Sequence, residues 1–108
     1  MLTVKCIEYF KNFSNKDLEA LRTMFSDDIT LRDWDIDVSG IEAVLGANYN
    51  IFDKFETINV MPVNLYKSNN IVICEIEILL NDNNKLLVVD ILEFDDDHKI
   101  KSIRAYKG

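Results

Sequence analysis

Hydrophobic residues near the start of the chain recur at helical spacing. The first stripe consists of Leu2, Cys6, Tyr9 and Phe13. Its intervals of three and four residues predict an amphipathic helix that ends at Ser14-Asn15. A second helix is predicted from the stripe of Leu18, Leu21 and Phe25. We expect Asn15 to be its N-cap and the Ser-Asp-Asp sequence at 26–28 to end it.

The pattern then changes twice before the middle of the chain. Residues 29–33 alternate apolar and polar side chains, which predicts a short strand, and residues 35–38 are expected to form a loop. Ser39 and Glu42 have the spacing of a capping box, in which each side chain accepts a hydrogen bond from the backbone amide of the other residue. A third helix should follow, with a buried side made of Ile41, Val44, Leu45, Tyr49 and Phe52.

The second half of the chain alternates strands with polar turns. Four strands are predicted, at residues 57–66, 71–80, 85–94 and 99–106. Pro62 indicates a bulge or an edge strand, because proline cannot donate a hydrogen bond to a neighbouring strand. Helices followed by a meander of strands predict an α+β fold, with about three N-terminal helices packed on one face of an antiparallel sheet.

The strand at 85–94 is apolar on both of its faces. One face carries Leu86, Val88, Leu92 and Phe94, and the other carries Leu87, Val89 and Ile91. An antiparallel sheet in a monomer usually leaves one face in water. The second apolar face therefore predicts a homodimer formed through the sheet. The alternative is that a loop or helix of the same chain covers this face.

Size and charge narrow the possible functions. The 108 residues, 48% of them hydrophobic, suffice for one packed core, so we expect a single domain over residues 1–108. The 19 acidic and 12 basic residues give a net charge of −7, which opposes binding to nucleic-acid phosphates. No apolar run is long enough to cross a bilayer, and the N-terminal sequence lacks a secretory signal. We expect a cytoplasmic protein without nucleic-acid or membrane partners, whose cysteines, Cys6 and Cys74, are buried and reduced.

Three polar residues occupy positions where the pattern calls for apolar ones. Tyr9 lies in the first helical stripe, whereas Asp33 and Asp90 share the parity of the apolar residues in their strands. A carboxyl group on an apolar face is costly unless it is paired or neutralised, and burial raises its pKa. Such groups cluster at functional sites. Each residue also has a structural interpretation: Tyr9 as a core residue, Asp33 as a turn cap, and Asp90 as a partner of Arg104.

Together, a phenol and two carboxyl groups are suited to removing a proton next to a carbonyl. One carboxylate takes the proton, and two neutral donors stabilise the enolate oxygen. The sequence has one histidine, His98, and no motif typical of a metal site, a nucleophilic hydrolase or a phosphate-binding loop. We therefore expect neither a metal nor a cofactor.

Two segments carry a resemblance to known proteins. Residues 9–34, YFKNFSNKDLEALRTMFSDDITLRDW, combine a helix with a Tyr, an Asp-Leu opening a second helix, an aromatic before Asp-Asp, and a strand ending in an acid. Residues 89–108, VDILEFDDDHKIKSIRAYKG, combine a strand Asp, a Phe-Asp turn and a strand ending in Arg-Ala-Tyr. Over nearly its whole length the chain resembles ketosteroid isomerase-like and polyketide cyclase-like members of the nuclear-transport-factor-2-like superfamily.

The resemblance implies both a fold and a set of roles. The fold is a curved antiparallel sheet wrapped around helices into a cone, a cystatin-like α+β barrel with a pocket inside, and it is usually dimeric. The catalytic Tyr of the family falls on Tyr9, its general base on Asp33, and its protonated oxyanion-hole acid on Asp90. The implied activity is that of a cofactor-free isomerase, cyclase or dehydratase acting on a small apolar or carbonyl-containing ligand.

Five further residues are expected at the substrate pocket: Phe25, Trp34, Tyr49, Phe52 and Lys107. Trp34 stands where the family often has a proline, and Lys107 replaces a bulky apolar residue, so a smaller or anionic ligand is expected rather than a steroid. Two other functions remain open. The fold can hold a small apolar ligand without chemistry, or it can serve as a dimerising interaction protein with a plugged pocket.

Overall fold

Three helices and six strands make up the chain, in a computed structural model that describes every residue from Met1 to Gly108. In chain order the elements are α1 (Leu2–Ser14), α2 (Leu18–Met24), β1 (Phe25–Arg32), β2 (Asp37–Ser39), α3 (Ile41–Lys54), β3 (Ile58–Ser68), β4 (Ile71–Leu80), β5 (Asn84–Phe94) and β6 (Ile100–Lys107).

The boundary between α1 and α2 differs from the prediction in its capping residue. Asn15 does not cap α2. It ends α1, in helical backbone conformation, with its amide donating to the Lys11 carbonyl. The N-cap of α2 is Asp17, whose carboxylate accepts a hydrogen bond of 3.1 Å from the amide of Ala20. Both residue types cap helices well, so their local preference does not decide between two positions two residues apart.

The end of α2 was also predicted wrongly. Phe25 belongs to the strand, and Ser26–Asp28 continue β1 rather than ending the helix. Phe25 aligns with Ile100 of β6, and the register then shifts before Thr30. This irregularity lets two consecutive exposed residues, Asp27 and Asp28, stand between buried Phe25 and Ile29. Pairing with a distant strand thus overrides the local pattern.

Two predictions around Gly40 are wrong as well. Asp37 and Val38, expected in a loop, form β2 together with Ser39, and this strand pairs with the end of β1. Ser39 is held in that strand opposite Thr30, and the N-cap of α3 is Gly40, with no side-chain capping bond. Glu42 does not reach back to Ser39; it forms an ion pair with Arg22 of α2, with an N–O distance of 2.6 Å.

The strands of the second half lie where the sequence predicts them, within two residues at each end. Pro62 lies in an edge strand and beside a register shift, so both interpretations of this proline are confirmed. The turns that follow β3 and β4 use left-handed backbone at Asn69, Asn81 and Asp82, residue types that tolerate it.

The sheet has the order β2-β1-β6-β5-β4-β3. The predicted α+β arrangement of three helices on a curved sheet is confirmed, with two corrections. The sheet is mixed rather than antiparallel, because β1 pairs with β6 in parallel. It is also open, because β2 and β3 remain as edges, so the cone does not close into a barrel.

The two faces of β5 have different surroundings. Val88, Leu92 and Phe94 are buried in the core beneath the helices. On the outer face Leu87 is 56% exposed, while Val89 and Ile91 are half-buried. No loop or helix of the chain covers this face.

Candidate active site

A cavity of about 600 Å³ lies between the helices and the inner face of the sheet. It is lined by 26 residues, of which 19 are hydrophobic. A volume of this size is in the range of small-molecule sites. The three polar residues singled out by the sequence, Tyr9, Asp33 and Asp90, all line it.

Tyr9 reaches the cavity from the buried side of α1. Only 5% of the residue is exposed, and its ring lies 5.4 to 6.1 Å from the rings of Phe10, Phe13 and Phe25. Burial raises the pKa of the Tyr9 hydroxyl well above its ordinary value, and the nearby Asp90 charge raises it further. The phenol therefore stays protonated and is available as a neutral donor.

Asp90 occupies the middle of the sheet, between Cys74 of β4 and Ala105 of β6. Burial raises the pKa of its carboxyl group from 3.8 to about 7, and the charge of Asp33 adds to the rise. Arg104 is not its partner. That residue aligns with Ile91, so it points to the outer face, where it bonds Ser102 and pairs with Glu93.

Cys74 and Cys6 are both free and fully buried. Contact with Cys6 and burial together raise the pKa of the Cys74 thiol, so it remains neutral beside Asp90. Asp90 therefore has no cation at either neighbouring strand position to offset the burial that raises the pKa of its carboxyl group.

Asp33 lies immediately after β1, and its carboxylate has a structural task. Its Oδ1 atom accepts hydrogen bonds from the amides of Asp35 (2.8 Å) and Ile36 (2.6 Å), which fixes the turn into β2. The turn-cap interpretation is thus correct for one oxygen. Since Oδ1 is used in this way, Oδ2 is the oxygen left to interact with a ligand in the cavity.

The other predicted pocket residues are distributed differently. Trp34 lines the cavity, and the Lys107 ammonium lies 5.4 Å from the centre of its ring. Lys107 itself lines an adjoining pocket, which shares Asp33, Trp34 and Ala105 with the cavity. Phe25 and Phe52 are buried outside the cavity wall, each packed against a residue of that wall, and Tyr49 is 56% exposed.

Sequence reasoning missed Asn48, which lines the cavity from α3. The residue is 2% exposed, and its Nδ2 atom is buried without a hydrogen-bond partner. The signal was present in the sequence. Position 48 continues the spacing of Val44, Leu45 and Phe52, so it is a polar residue on an apolar helical stripe, as Tyr9 is.

No group of acidic, histidine or cysteine side chains in the structure is arranged to hold a metal ion. None of the three helices combines the length and the hydropathy that crossing a membrane requires.

Most of the chain matches a known protein family. Residues 7–103 match the SnoaL-like domain. No curated protein sequence matches the chain. Among solved structures, a nuclear-transport-factor-2-like protein of unknown function from Cytophaga hutchinsonii superposes with a TM-score of 0.84 at 12% identity, covering 100% of this chain and 90% of that one.

Two further structures agree. A protein from Sinorhizobium meliloti proposed to be a polyketide cyclase has a TM-score of 0.81 at 15% identity, covering 90% of this chain and 88% of its own. A protein with a ketosteroid isomerase-like fold from Catenulispora acidiphila, in complex with trimethylamine, has a TM-score of 0.82 at 18% identity, covering 91% and 80%. At these identities the likeness concerns the fold alone.

The family match spans most of the chain, and the superpositions extend over the cone of strands and helices that forms the cavity. The resemblance stated from residues 9–34 and 89–108 is confirmed. The chain belongs to the SnoaL-like domain family and has the nuclear-transport-factor-2-like fold.

Proposed function

We propose that this protein is a cofactor-free enzyme that removes a proton next to a carbonyl group, as an isomerase, cyclase or dehydratase does. The observation that supports it most is the Asp90 carboxyl, buried at the wall of an apolar cavity with a pKa of about 7 and no cation beside it. With a pKa of about 7 the carboxyl group is about half protonated at pH 7, and in its protonated form it can donate a hydrogen bond to a developing enolate oxygen.

Each of the three polar residues has a defined part in this proposal. Asp33 takes the proton through Oδ2, while its Oδ1 keeps the group in place through the turn. Tyr9 and Asp90 donate hydrogen bonds to the enolate oxygen. The charge of Asp33 raises the pKa of both donors, so the negative base itself helps to keep them protonated.

The proposed ligand is a small, mainly apolar molecule that carries a carbonyl group. The hydrophobic lining suits such a molecule, since burial of apolar surface would drive its binding. The trimethylamine complex of the Catenulispora neighbour is in keeping with a fold that holds small ligands.

Substitution of Asp33 tests the catalytic role. With a panel of cyclic ketones in heavy water, NMR would measure deuterium uptake at the carbon next to the carbonyl. Asp33→Asn should slow the protein-dependent exchange by about 100-fold or more, because the amide is not a base. The matched control is Asp27→Asn, on the exposed part of β1, which should keep the wild-type rate.

A non-catalytic binding module is the second candidate, and the bonding of Asp33 favours it. Its Oδ1 serves the turn, which is a sufficient structural reason for the residue. This candidate predicts that phenols bind, that no ketone exchanges faster with the protein than without it, and that Asp33→Asn leaves binding unchanged. Wild-type exchange rates in Asp33→Asn would remove the enzyme proposal.

We further propose that two copies associate through the outer face of the sheet. This face carries an apolar patch of six residues: Tyr66, Ile73, Leu87, Val89, Ile91 and Tyr106. Of the charged residues on the same face, Lys85 pairs with Glu77 and Lys101 with Glu93. Glu75, opposite Val89, has no cationic partner and accepts hydrogen bonds from Asn64 and Tyr66. An uncovered, mainly apolar centre beside ion pairs suits a symmetric contact. The open cavity counts against the hypothesis of an interaction protein with a plugged pocket.

A further inference from the structure

Only three polar side chains of the cavity wall are buried: Tyr9, Asn48 and Asp90. The remaining polar side chains of the wall are exposed or half-exposed, including those of Asp33, Asn50 and Lys54. The proposed mechanism uses Tyr9 and Asp90 and leaves Asn48 without a task.

The surroundings of Asn48 do not satisfy it. Its Nδ2 atom has no hydrogen-bond partner although it is sealed from solvent, and the residue is 2% exposed. A buried amide that lacks partners destabilises a fold, and native structures contain few of them. Asn48 also lines the cavity, and its carboxamide can turn about its last side-chain bond to present either polar atom to a ligand there.

Asn48 is carried by a different element of the cavity wall from the other two buried polar groups. It lies on α3, whereas Tyr9 lies on α1 and Asp90 on β5. The helix α3 packs on β1 and β2, the strands whose connecting turn carries Asp33. A molecule that fills the cavity therefore meets buried hydrogen-bonding groups from three elements of its wall.

We propose that the Asn48 carboxamide binds a second polar group of the substrate, a hydroxyl or carbonyl remote from the reacting carbonyl. The inference rests on the proposed function, in which Tyr9 and Asp90 bind the first oxygen, that of the reacting carbonyl. It assigns Asn48 as a positioning residue and narrows the substrate class to apolar molecules with two oxygen functions. An amide suits this task because its NH2 can donate to a hydroxyl or carbonyl oxygen and its oxygen can accept from a hydroxyl.

Two aromatic probes separate the two contacts. 2-Naphthol has one hydroxyl, which mimics an enolate oxygen, and 2,6-dihydroxynaphthalene adds a second one at the opposite end. Titration calorimetry with the wild type should show about 10-fold tighter binding of the diol, the effect of one buried hydrogen bond. In Asn48→Leu, which keeps the branched four-atom side chain but removes its polar atoms, the ratio of the two affinities should fall to about one. Asn48→Ala should lose the preference as well.

Thermal unfolding of the protein without ligand gives an independent measurement. Asn48→Leu should raise the melting temperature by about 5 °C, because it removes an unsatisfied buried amide. A lowered melting temperature would overturn the inference, since Asn48 would then have partners within the fold. An unchanged diol preference in both variants, or an equal weakening of both probes, would overturn it too.

The same titrations distinguish this inference from the proposed function. If Tyr9→Phe and Asp90→Leu bind 2-naphthol as the wild type does, the proposed oxyanion site is wrong. The role of Asn48 is then still decided by the ratio of the diol and 2-naphthol affinities. If those variants weaken 2-naphthol but the ratio is independent of position 48, the inference on Asn48 alone fails. If neither probe binds the wild type, both are overturned.

Discussion

At the scale of single residues, the burial of Asp90 makes stability depend on pH. The pKa of its carboxyl group is about 7 in the folded chain and ordinarily 3.8, so the folded state holds the proton more tightly. The stabilisation from this group is complete below pH 4 and is lost as the pH rises through about 7. Its loss between pH 5 and pH 8 should lower the free energy of unfolding of the wild type by roughly 2–3 kcal/mol.

Asp90→Asn should lack this loss, because an amide has no charge to bury. Urea unfolding at pH 5 and pH 8 would measure it, with Asp96→Asn in the exposed turn before β6 as the control. The control should retain the pH dependence of the wild type. Equal pH dependence in Asp90→Asn and the wild type would show that Asp90 titrates as an exposed carboxyl group.

The inward positions of Tyr9 and Asp90 were predictable because both residues lie within regular elements, where side-chain direction follows from the period. Tyr49 and Asn48 show the limit of that argument. Adjacent helical residues point about 100° apart, and an apolar stripe is of similar width, so a stripe alone does not decide which neighbour is buried. The packing of α3 buries Asn48 and leaves Tyr49 exposed.

At the scale of elements, the start of α3 depends on a glycine rather than on a capping side chain. Gly40 has a φ of 92° and a ψ of 147°, a conformation that residues with a Cβ rarely adopt. Gly40→Ala should lower the unfolding free energy by about 1–3 kcal/mol from backbone strain alone, because no other atom lies within 4 Å of the added Cβ.

Gly46 provides the matched control in the same helix. It lies within α3 with open space around its Cβ position, so Gly46→Ala should stabilise the protein by roughly 0.5–1 kcal/mol. Chemical denaturation of both variants would measure the two effects. A neutral Gly40→Ala would contradict the assignment of Gly40 as a strained N-cap.

The predictions that failed at this scale share a cause. Ser39 and Glu42 have the spacing of a capping box, but Ser39 is held in β2 and Glu42 pairs with Arg22. In the same way, Phe25 fits the stripe of α2 but pairs with β6 instead. Local motifs do not include partners that lie far away along the chain, and here those partners decide the outcome.

At the scale of the whole molecule, the outer apolar patch should hold two chains together. Light scattering on a sizing column should give twice the chain mass of 12.5 kDa. Leu87→Glu should shift the protein to the monomer, because it places a charge within the buried contact. The matched control is Val4→Glu on α1, since Val4 is 55% exposed and Leu87 is 56% exposed. A wild type that elutes as a monomer would contradict the proposed interface.

The general arrangement of helices on a sheet followed from the order of elements, whereas the topology did not. Strands that follow each other through short turns pair as neighbours, which made β3 to β6 predictable. The parallel pairing of β1 with β6 joins residues about 70 positions apart, and no local pattern encodes it. That pairing also places Asp33, at the end of β1, on the same cavity as Asp90.

The most direct test of the proposed site is the titration of the Asp90 carboxyl group by carbon-detected NMR, assigned through Asp90→Asn. A pKa of about 7 is expected in the wild type. In Asp33→Asn the pKa of Asp90 should fall, since the charge that adds to its rise is removed. A pKa near 3.8 in the wild type would mean that Asp90 is ionised at neutral pH, and the proposed pair of neutral donors would not exist.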